Sequence, residues 1–209
     1  MKISKLTKIL EDFAPRIPKP IRDLEQYTTP AEIALRIAQH AKLSGILDDS
    51  IVVDLGAGTC RLGLAALLLG APKVLAVDID RRFQPLCIEA SRRLGFEGAL
   101  EFVVSRIARD LGPLAKCEDC IVVTNPPFGV WSRGADTEFI LYALSLNPRR
   151  VYAILKSGNL DYHRGLALSK GYSLRLLWTL KFPIPASMEH HRSRVRRVDV
   201  DVVYFERGA

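Results

Sequence analysis

Four residues in the middle of the chain, Asn125-Pro126-Pro127-Phe128, bring together an amide, a free proline carbonyl and an aromatic ring. They follow a strand-like run, Ile121-Val122-Val123-Thr124, and precede Gly129. Neither proline has an N–H for a ladder, so the strand must end here, and the residue before the first proline is held extended. The resulting stiff turn suits a flat group that bears an NH2. The Asn125 side-chain oxygen and the Pro126 carbonyl can accept its two hydrogens while Phe128 stacks on its face. An adenine amino group is a poor nucleophile because its lone pair is drawn into the ring. Acceptors on both hydrogens turn that pair outward, toward an electrophile. A strand ending in a proline turn over a buried Phe128 is the plain alternative, and these four residues alone do not choose.

A second constellation, Val53-Asp54-Leu55-Gly56-Ala57-Gly58-Thr59-Cys60, reads as strand, acid, glycine turn and helix start. In an open parallel sheet the first such turn is a usual ligand site, and glycine lets the backbone come close to a ligand. Position 61 is Arg, so the G-x-G-x-x-G fingerprint of a hydride-transfer cofactor fails, and no P-loop is present. Asp54 beside the first glycine would repel a pyrophosphate but suits a cationic or amino-bearing ligand. Asp78, at the end of the next strand, can accept from both hydroxyls of a ribose, and Ile79 can cover one adenine face. A nucleoside without phosphates that carries an amino acid is S-adenosylmethionine. A structural glycine turn with a capping Asp54 is the competing reading.

The elements that must position these residues follow from periodicity. Ile3, Leu6, Ile9, Leu10 and Phe13 predict an amphipathic helix over 3–13, followed by a connector with Pro15, Pro18 and Pro20. Thr29 is expected to cap a helix that starts at Pro30 and ends near Leu43. Strands are predicted at 51–55, 73–78, 100–104, 120–124 and 151–155, and helices at 61–69, 82–94, 137–146 and 162–169. Two late strands, 172–180 and 198–205, have only a loop between them and should be antiparallel neighbours. Continuous apolar strands alternating with helices imply an α/β fold, a mostly parallel seven-stranded sheet with helices on both faces and an antiparallel last strand. One domain over 1–209 is expected, with 1–45 as N-terminal helices and lid and 46–209 as the core.

The chain has 209 residues, 48% hydrophobic and 25% charged, with a net charge of +7. That suits one full core and an anionic partner. Four cysteines in this length do not make a disulfide framework and fit a reducing cytoplasm. The Met1-Lys2-Ile3-Ser4-Lys5 start lacks a signal-peptide core, and no apolar run has the length of a membrane span. A soluble, cytoplasmic protein is expected. Between the last strands, Ala186–Val198 carries Arg192, Arg194, Arg196 and Arg197, each able to contact a phosphate; a solvated charge run is the alternative. His190 and His191 lack a ligand set and Cys117-x-x-Cys120 lacks a second pair, so no metal is assigned. Trp178 is expected in the core, while Trp131 has either a packing or a substrate-bordering role.

The order Gln26-Tyr27-x-Thr29, Asp54-Leu55-Gly56-x-Gly58, Asp78-Ile79-Asp80, Asn125-Pro126-Pro127-Phe128-Gly129 resembles the class I methyltransferases, which have a Rossmann-like fold. It looks most like the archaeal and eukaryotic small-subunit ribosomal RNA adenine-N6 methyltransferases, the methyltransferase-like protein 5 family. The likeness takes in Lys156-Ser157, Leu180–Ser187 and Val198-Asp199-Val200-Asp201. It implies S-adenosylmethionine as cofactor, with Gln26 and Thr29 closing over its methionine part. Gly56, Gly58 and Thr59 would line it, and Asp78 would hold the ribose; Asp54, Ile79 and Ile107 belong to the same expected site. Asn125 and the Pro126 carbonyl, on the turn completed by Pro127, would accept from the target N6, with Phe128 on the base. Lys156 and Lys181 join the four arginines as expected RNA contacts, ribosomal RNA being the implied partner. A small zinc-binding activator protein, pairing with a sheet edge in eukaryotes, is implied as well. Two positions depart from the pattern. Cys60 replaces the third glycine, and Val104-Ser105-Arg106-Ile107 puts Arg106 where an acid should accept from the cofactor's adenine. Ser105 or a backbone carbonyl would have to replace it. Protein glutamine-N5 methylation fits the same turn, and an RNA-binding module with a vestigial cofactor fold is the non-enzymatic alternative.

Overall fold

The computed structural model describes residues 2–21, 24–107, 116–129, 134–184 and 196–208; of Arg196 it describes the backbone only. Among the described residues, seven strands form one sheet in the order β3-β2-β1-β4-β5-β7-β6. They are β1 (Ile51–Leu55), β2 (Lys73–Asp78), β3 (Leu100–Val104), β4 (Ile121–Thr124), β5 (Arg150–Lys156), β6 (Tyr172–Ile184) and β7 (Arg196–Arg207). The first five are mutually parallel, and β7 runs antiparallel between β5 and β6. This is the expected fold class, with both late strands longer than the periodicity marked.

Among the described residues, six helices cover the sheet: α1 (Ile3–Phe13), α2 (Ala31–Leu43), α3 (Arg61–Leu68), α4 (Phe83–Arg93), α5 (Ala135–Ser145) and α6 (Leu160–Ser169). Helices α5 and α6 each start two residues earlier than the apolar spacing suggested, at Ala135-Asp136 and Leu160-Asp161. One apolar cluster joins α1 to α4 to one face, with Leu10, Leu35, Leu64 and Phe83 fully buried. The other joins α5 and α6 to the opposite face through Ile140, Ala143 and Ala167. Helix α1 ends at Phe13 because Pro15 holds Ala14 extended, at ψ 139°. Gly95 closes α4 with φ +87°, where its N–H bonds Arg92 O and that of Phe96 bonds Ser91 O. Among the described residues no helix is long and apolar enough to cross a membrane.

The chain builds β1, β2 and β3 outward in one direction, then crosses back to lay β4 on the other side of β1. Ligands of such sheets sit at this reversal, outside the carboxyl ends of the strands. Here Leu55 pairs with Thr124, and Thr124 Oγ1 donates to Leu55 O at 2.8 Å. Gly56 and Asn125 therefore leave adjacent strand ends side by side. On the other flank Leu55 pairs with Val77, which sets Asp78 beside the glycine turn.

Close packing of α3 onto the sheet depends on Gly63. A Cβ there would stand 2.7 Å from Val74 Cγ1 and 3.2 Å from Asp54 Oδ2. Replacing a helical glycine by alanine gains about 1 kcal/mol of helix propensity, but at this site overpacking outweighs it. We expect Gly63→Ala to lower the urea-unfolding free energy by about 1–3 kcal/mol; a gain would contradict the packing described.

Candidate active site

A cleft of about 310 Å³ opens at the strand reversal. Its wall includes Gln26, Tyr27 and Thr29 from the segment before α2, and Gly56, Ala57, Gly58 and Thr59 from the glycine turn. Asp78 and Ile79 come from the end of β2, Ser105, Arg106 and Ile107 follow β3, and Asn125 and Pro127 follow β4. Gln26, Thr29, Gly56, Gly58, Thr59, Asp78, Ile79, Ile107, Asn125 and Pro127, picked out by type and spacing, thus line one cavity. Arg61, Glu25, Glu138 and Phe139 also line it, and no spacing pattern pointed to them.

The glycine turn is tight because Gly56 and Gly58 have φ of +69° and +48°. The Gly56 and Ala57 amides both donate to Val77 O, at 2.9 and 3.0 Å. Cys60, in place of the third glycine, also adopts a left-handed φ of +55°, a conformation that costs an L-residue about 1–2 kcal/mol. Its side chain is fully buried, with the Cys60 and Cys87 thiols directed at Gly58 O from 3.9 and 3.3 Å.

Three carboxyls around the turn are set apart by their surroundings. Asp78 accepts from the Gly58 amide and the Asp80 amide, both at 2.8 Å. Burial raises its pKa, with those amides opposing the rise. Asp80 accepts from Arg82 and from Gln26 Nε2, and the Arg82 hydrogen bonds hold its pKa down at about 2. Asp54 is the departure. It was expected to face the ligand, yet it is fully buried and absent from the cleft wall. Its Oδ2 instead accepts the Gly63 amide at 2.9 Å, and Oδ1 has no partner among the described residues. Burial pushes this carboxyl up to about 7, with the Gly63 amide opposing and the Asp78 charge adding.

The Asn125 turn is held from the N-terminal side. Asn125 Nδ2 donates to Thr29 Oγ1 at 3.1 Å, and Asn125 Oδ1 is left buried without a partner among the described residues. Thr29 is thus occupied at Asn125, not capping α2 as expected; no side chain caps that helix through Pro30. The Phe128 amide donates to Glu25 Oε2 at 2.7 Å, and Glu25 itself takes an unusual φ of +47°. Phe128 and Pro126 are buried outside the cleft wall. Phe128 stacks on Tyr27, with centroids 5.8 Å apart and planes at 23°, and its edge meets Phe182. The ring expected to carry a ligand is therefore covered by a neighbour of the same chain.

Of the basic residues marked for RNA, Lys156, Lys181 and Arg197 are exposed. Lys181 Nζ pairs with Asp199 at 3.1 Å. Arg192, Arg194 and the side chain of Arg196 lie outside the described residues, as do Trp131, His190 and His191. Trp178 is only partly buried, under the guanidinium of Arg36. Asp201, deeply buried, accepts from Ser157 Oγ and Thr179 Oγ1 at 2.9 and 2.7 Å, tying the end of β5 to the two late strands.

Comparison with known proteins places this arrangement. A family model described as ribosomal protein L11 methyltransferase (PrmA) matches residues 31–93, which contain the glycine turn and Asp78. Protein MJ0284 of Methanocaldococcus jannaschii is 31% identical over 96% of this chain and 92% of its own length. The rRNA N(6)-adenosine-methyltransferase Mettl5 of Drosophila melanogaster is 29% identical over 100% of this chain and 98% of its own. The crystal structure of PH1948 from Pyrococcus horikoshii superposes with a TM-score of 0.86 at 28% identity, covering 99% of this chain and 98% of that one.

Asp54 generates a pH prediction. It ionises at about 3.9 in an unfolded chain and at about 7 in the folded one. Between those values the folded chain holds a proton that the unfolded chain has released, so stability falls as pH rises across the window. Asparagine at this position keeps an oxygen for the Gly63 amide and removes the titration. We expect the drop in urea-unfolding free energy from pH 5 to pH 8 to shrink by about 2–3 kcal/mol in Asp54→Asn. An unchanged drop would refute the assignment.

Proposed function

This chain belongs to the METTL5-type methyltransferase family, and we propose that it methylates the N6 nitrogen of adenosine in RNA, with ribosomal RNA as substrate and S-adenosylmethionine as donor. The observation that carries this reading is Asn125 Oδ1, a buried acceptor with no partner among the described residues, on the wall of the same cavity as the glycine turn and Asp78. A buried acceptor left unmade costs about 1–3 kcal/mol, and the N–H of an incoming amine removes that cost.

The cleft fits the donor in kind. Gly56, Gly58 and Thr59 offer a close backbone approach, with Gln26 and Thr29 over the methionine end. The Asp78 carboxylate spends two of its acceptor sites on backbone amides and keeps others for ribose hydroxyls. Ile79 and Ile107 give apolar cover for an adenine, and Ser105 supplies the hydroxyl that Arg106 cannot. Bound there, S-adenosylmethionine supplies a methyl group on a positive sulfur, so the protein's task is to present the amine. Asn125 Oδ1 takes one N6 hydrogen and the Pro126 carbonyl the other, which directs the nitrogen lone pair away from the base plane. Thr29 fixes which way the Asn125 amide faces. As nitrogen becomes cationic the same two oxygens share its charge, and its proton then leaves to water. For the base to stack on Phe128, the Tyr27 ring must first leave that face and then serves as a lid. RNA contacts fall to Lys156, Lys181 and Arg197; the exposed Lys181–Asp199 pair is weak enough to exchange for a phosphate. The zinc-binding activator implied by the resemblance has an edge to pair with in β3, where Val103 and Val104 are 39% and 42% exposed.

Asn125→Ala removes the amine acceptor without touching the glycine turn. We expect methyl transfer to RNA to fall on the order of 10²-fold or more. Calorimetric affinity for S-adenosylhomocysteine should stay within about threefold. A variant that transfers at the full rate would contradict the role given to Asn125.

A further inference from the structure

Arg61, the residue that breaks the hydride-cofactor fingerprint, lies at the first position of α3 and on the wall of the cleft. It is only 9% exposed. Its Nη1 donates to Glu11 Oε1 at 2.8 Å and reaches Thr29 O at 3.4 Å, but its Nε is buried with no partner among the described residues. A buried guanidinium N–H without an acceptor is costly, and guanidinium geometry is matched by a carboxylate that accepts two parallel bonds. Glu11 does not supply that match: it engages Nη1 alone and is half exposed. Its Oε1 also takes the Ala31 amide at a long 3.3 Å. That amide belongs to the first turn of α2, a 13-residue helix whose N-cap residue, Pro30, supplies no side-chain acceptor, and whose positive end adds to the attraction for an anion. Glu32 in the same turn works against it.

We propose that Arg61, backed by the start of α2, is the subsite for the α-carboxylate of the amino-acid tail of the donor. The inference rests on reading the cleft as an S-adenosylmethionine site. The tail lies between Thr29 and the glycine turn, the two pieces that Arg61 adjoins, and its carboxylate gives the Nε–H the acceptor it lacks. Glu11 stays at Nη1 on the exposed side and leaves Nε to the ligand. The ligand class recognised is an α-amino acid joined to a nucleoside, and the carboxylate is what Arg61 discriminates.

Calorimetry on the full chain tests this with two ligands that share the nucleoside and sulfur. S-adenosylhomocysteine has the amino-acid tail and 5′-methylthioadenosine lacks it. Arg61→Met should weaken S-adenosylhomocysteine about tenfold to hundredfold and leave 5′-methylthioadenosine within about twofold, the latter also showing that the variant is folded. Glu11→Gln should bind S-adenosylhomocysteine as well as the unaltered chain or better. An Arg61→Met protein that keeps full affinity, or loses both ligands equally, would overturn the proposal. So would Glu11→Gln matching the loss, since Arg61 would then be only a latch for α1. If the unaltered chain binds neither ligand, the cofactor reading fails and the subsite falls with it, an outcome distinct from binding that ignores position 61.

Discussion

The pairing of β1 with β4 is the constraint on which the rest depends. Once Leu55 lies against Thr124, the residues after them leave the sheet as neighbours whatever the loops between them do. The Thr124 hydroxyl bound to Leu55 O fixes the two ends at the level where the sheet stops. A turn able to bind a nucleoside and a turn able to bind an amine then share a wall. A slip of one residue in this register would move both turns apart and reverse the side-chain directions on β4. Fully buried apolar contacts on both faces resist such a slip.

The second ingredient is a short stretch of chain before α2 that touches the site at several points. Glu25 holds the Phe128 amide, Gln26 bonds Asp80, Tyr27 lies on Phe128 and Thr29 bonds Asn125. Each contact joins residues more than fifty positions apart in the chain. Together they close the cavity on the side that the sheet leaves open. They also explain how a residue such as Asn125 is oriented before any ligand arrives: its amide nitrogen is bonded to Thr29, so its oxygen is the atom left buried without a partner among the described residues. The carboxyls beneath are tuned in different directions by local partners. Asp80 is held ionised by Arg82, while Asp54 is raised by burial behind the turn.

The strands, their order along the chain and the two turns were legible because they rest on local chemistry. Prolines end a strand, paired glycines make a sharp turn, and apolar runs bounded by them read as buried strands. The antiparallel late pair followed from the lack of a helical apolar pattern in the sequence between them. What local patterning could not supply was direction in space. Asp54 lies two residues before a glycine in sequence, but its side chain points into the protein toward Gly63, a consequence of how closely α3 packs. Phe128 has the right type for stacking, yet its face is taken by Tyr27, a contact set by the path of the segment before α2. Thr29-Pro30 has the composition of a helix cap, and tertiary competition from Asn125 took the hydroxyl instead. Arg61 registered only as a failed glycine, because nothing in its spacing reports that its Nε is buried beside the cleft.

The central claim is that this cavity presents an RNA adenine amine to a methyl donor. It is tested most directly by incubating the protein with S-adenosylmethionine labelled in the methyl group and, separately, with ribosomal RNA, DNA and total protein, followed by nucleoside and amino-acid analysis of the label. The account predicts label in RNA, recovered as N6-methyladenosine at a defined position. Label recovered only in protein, as methylated glutamine, would contradict it.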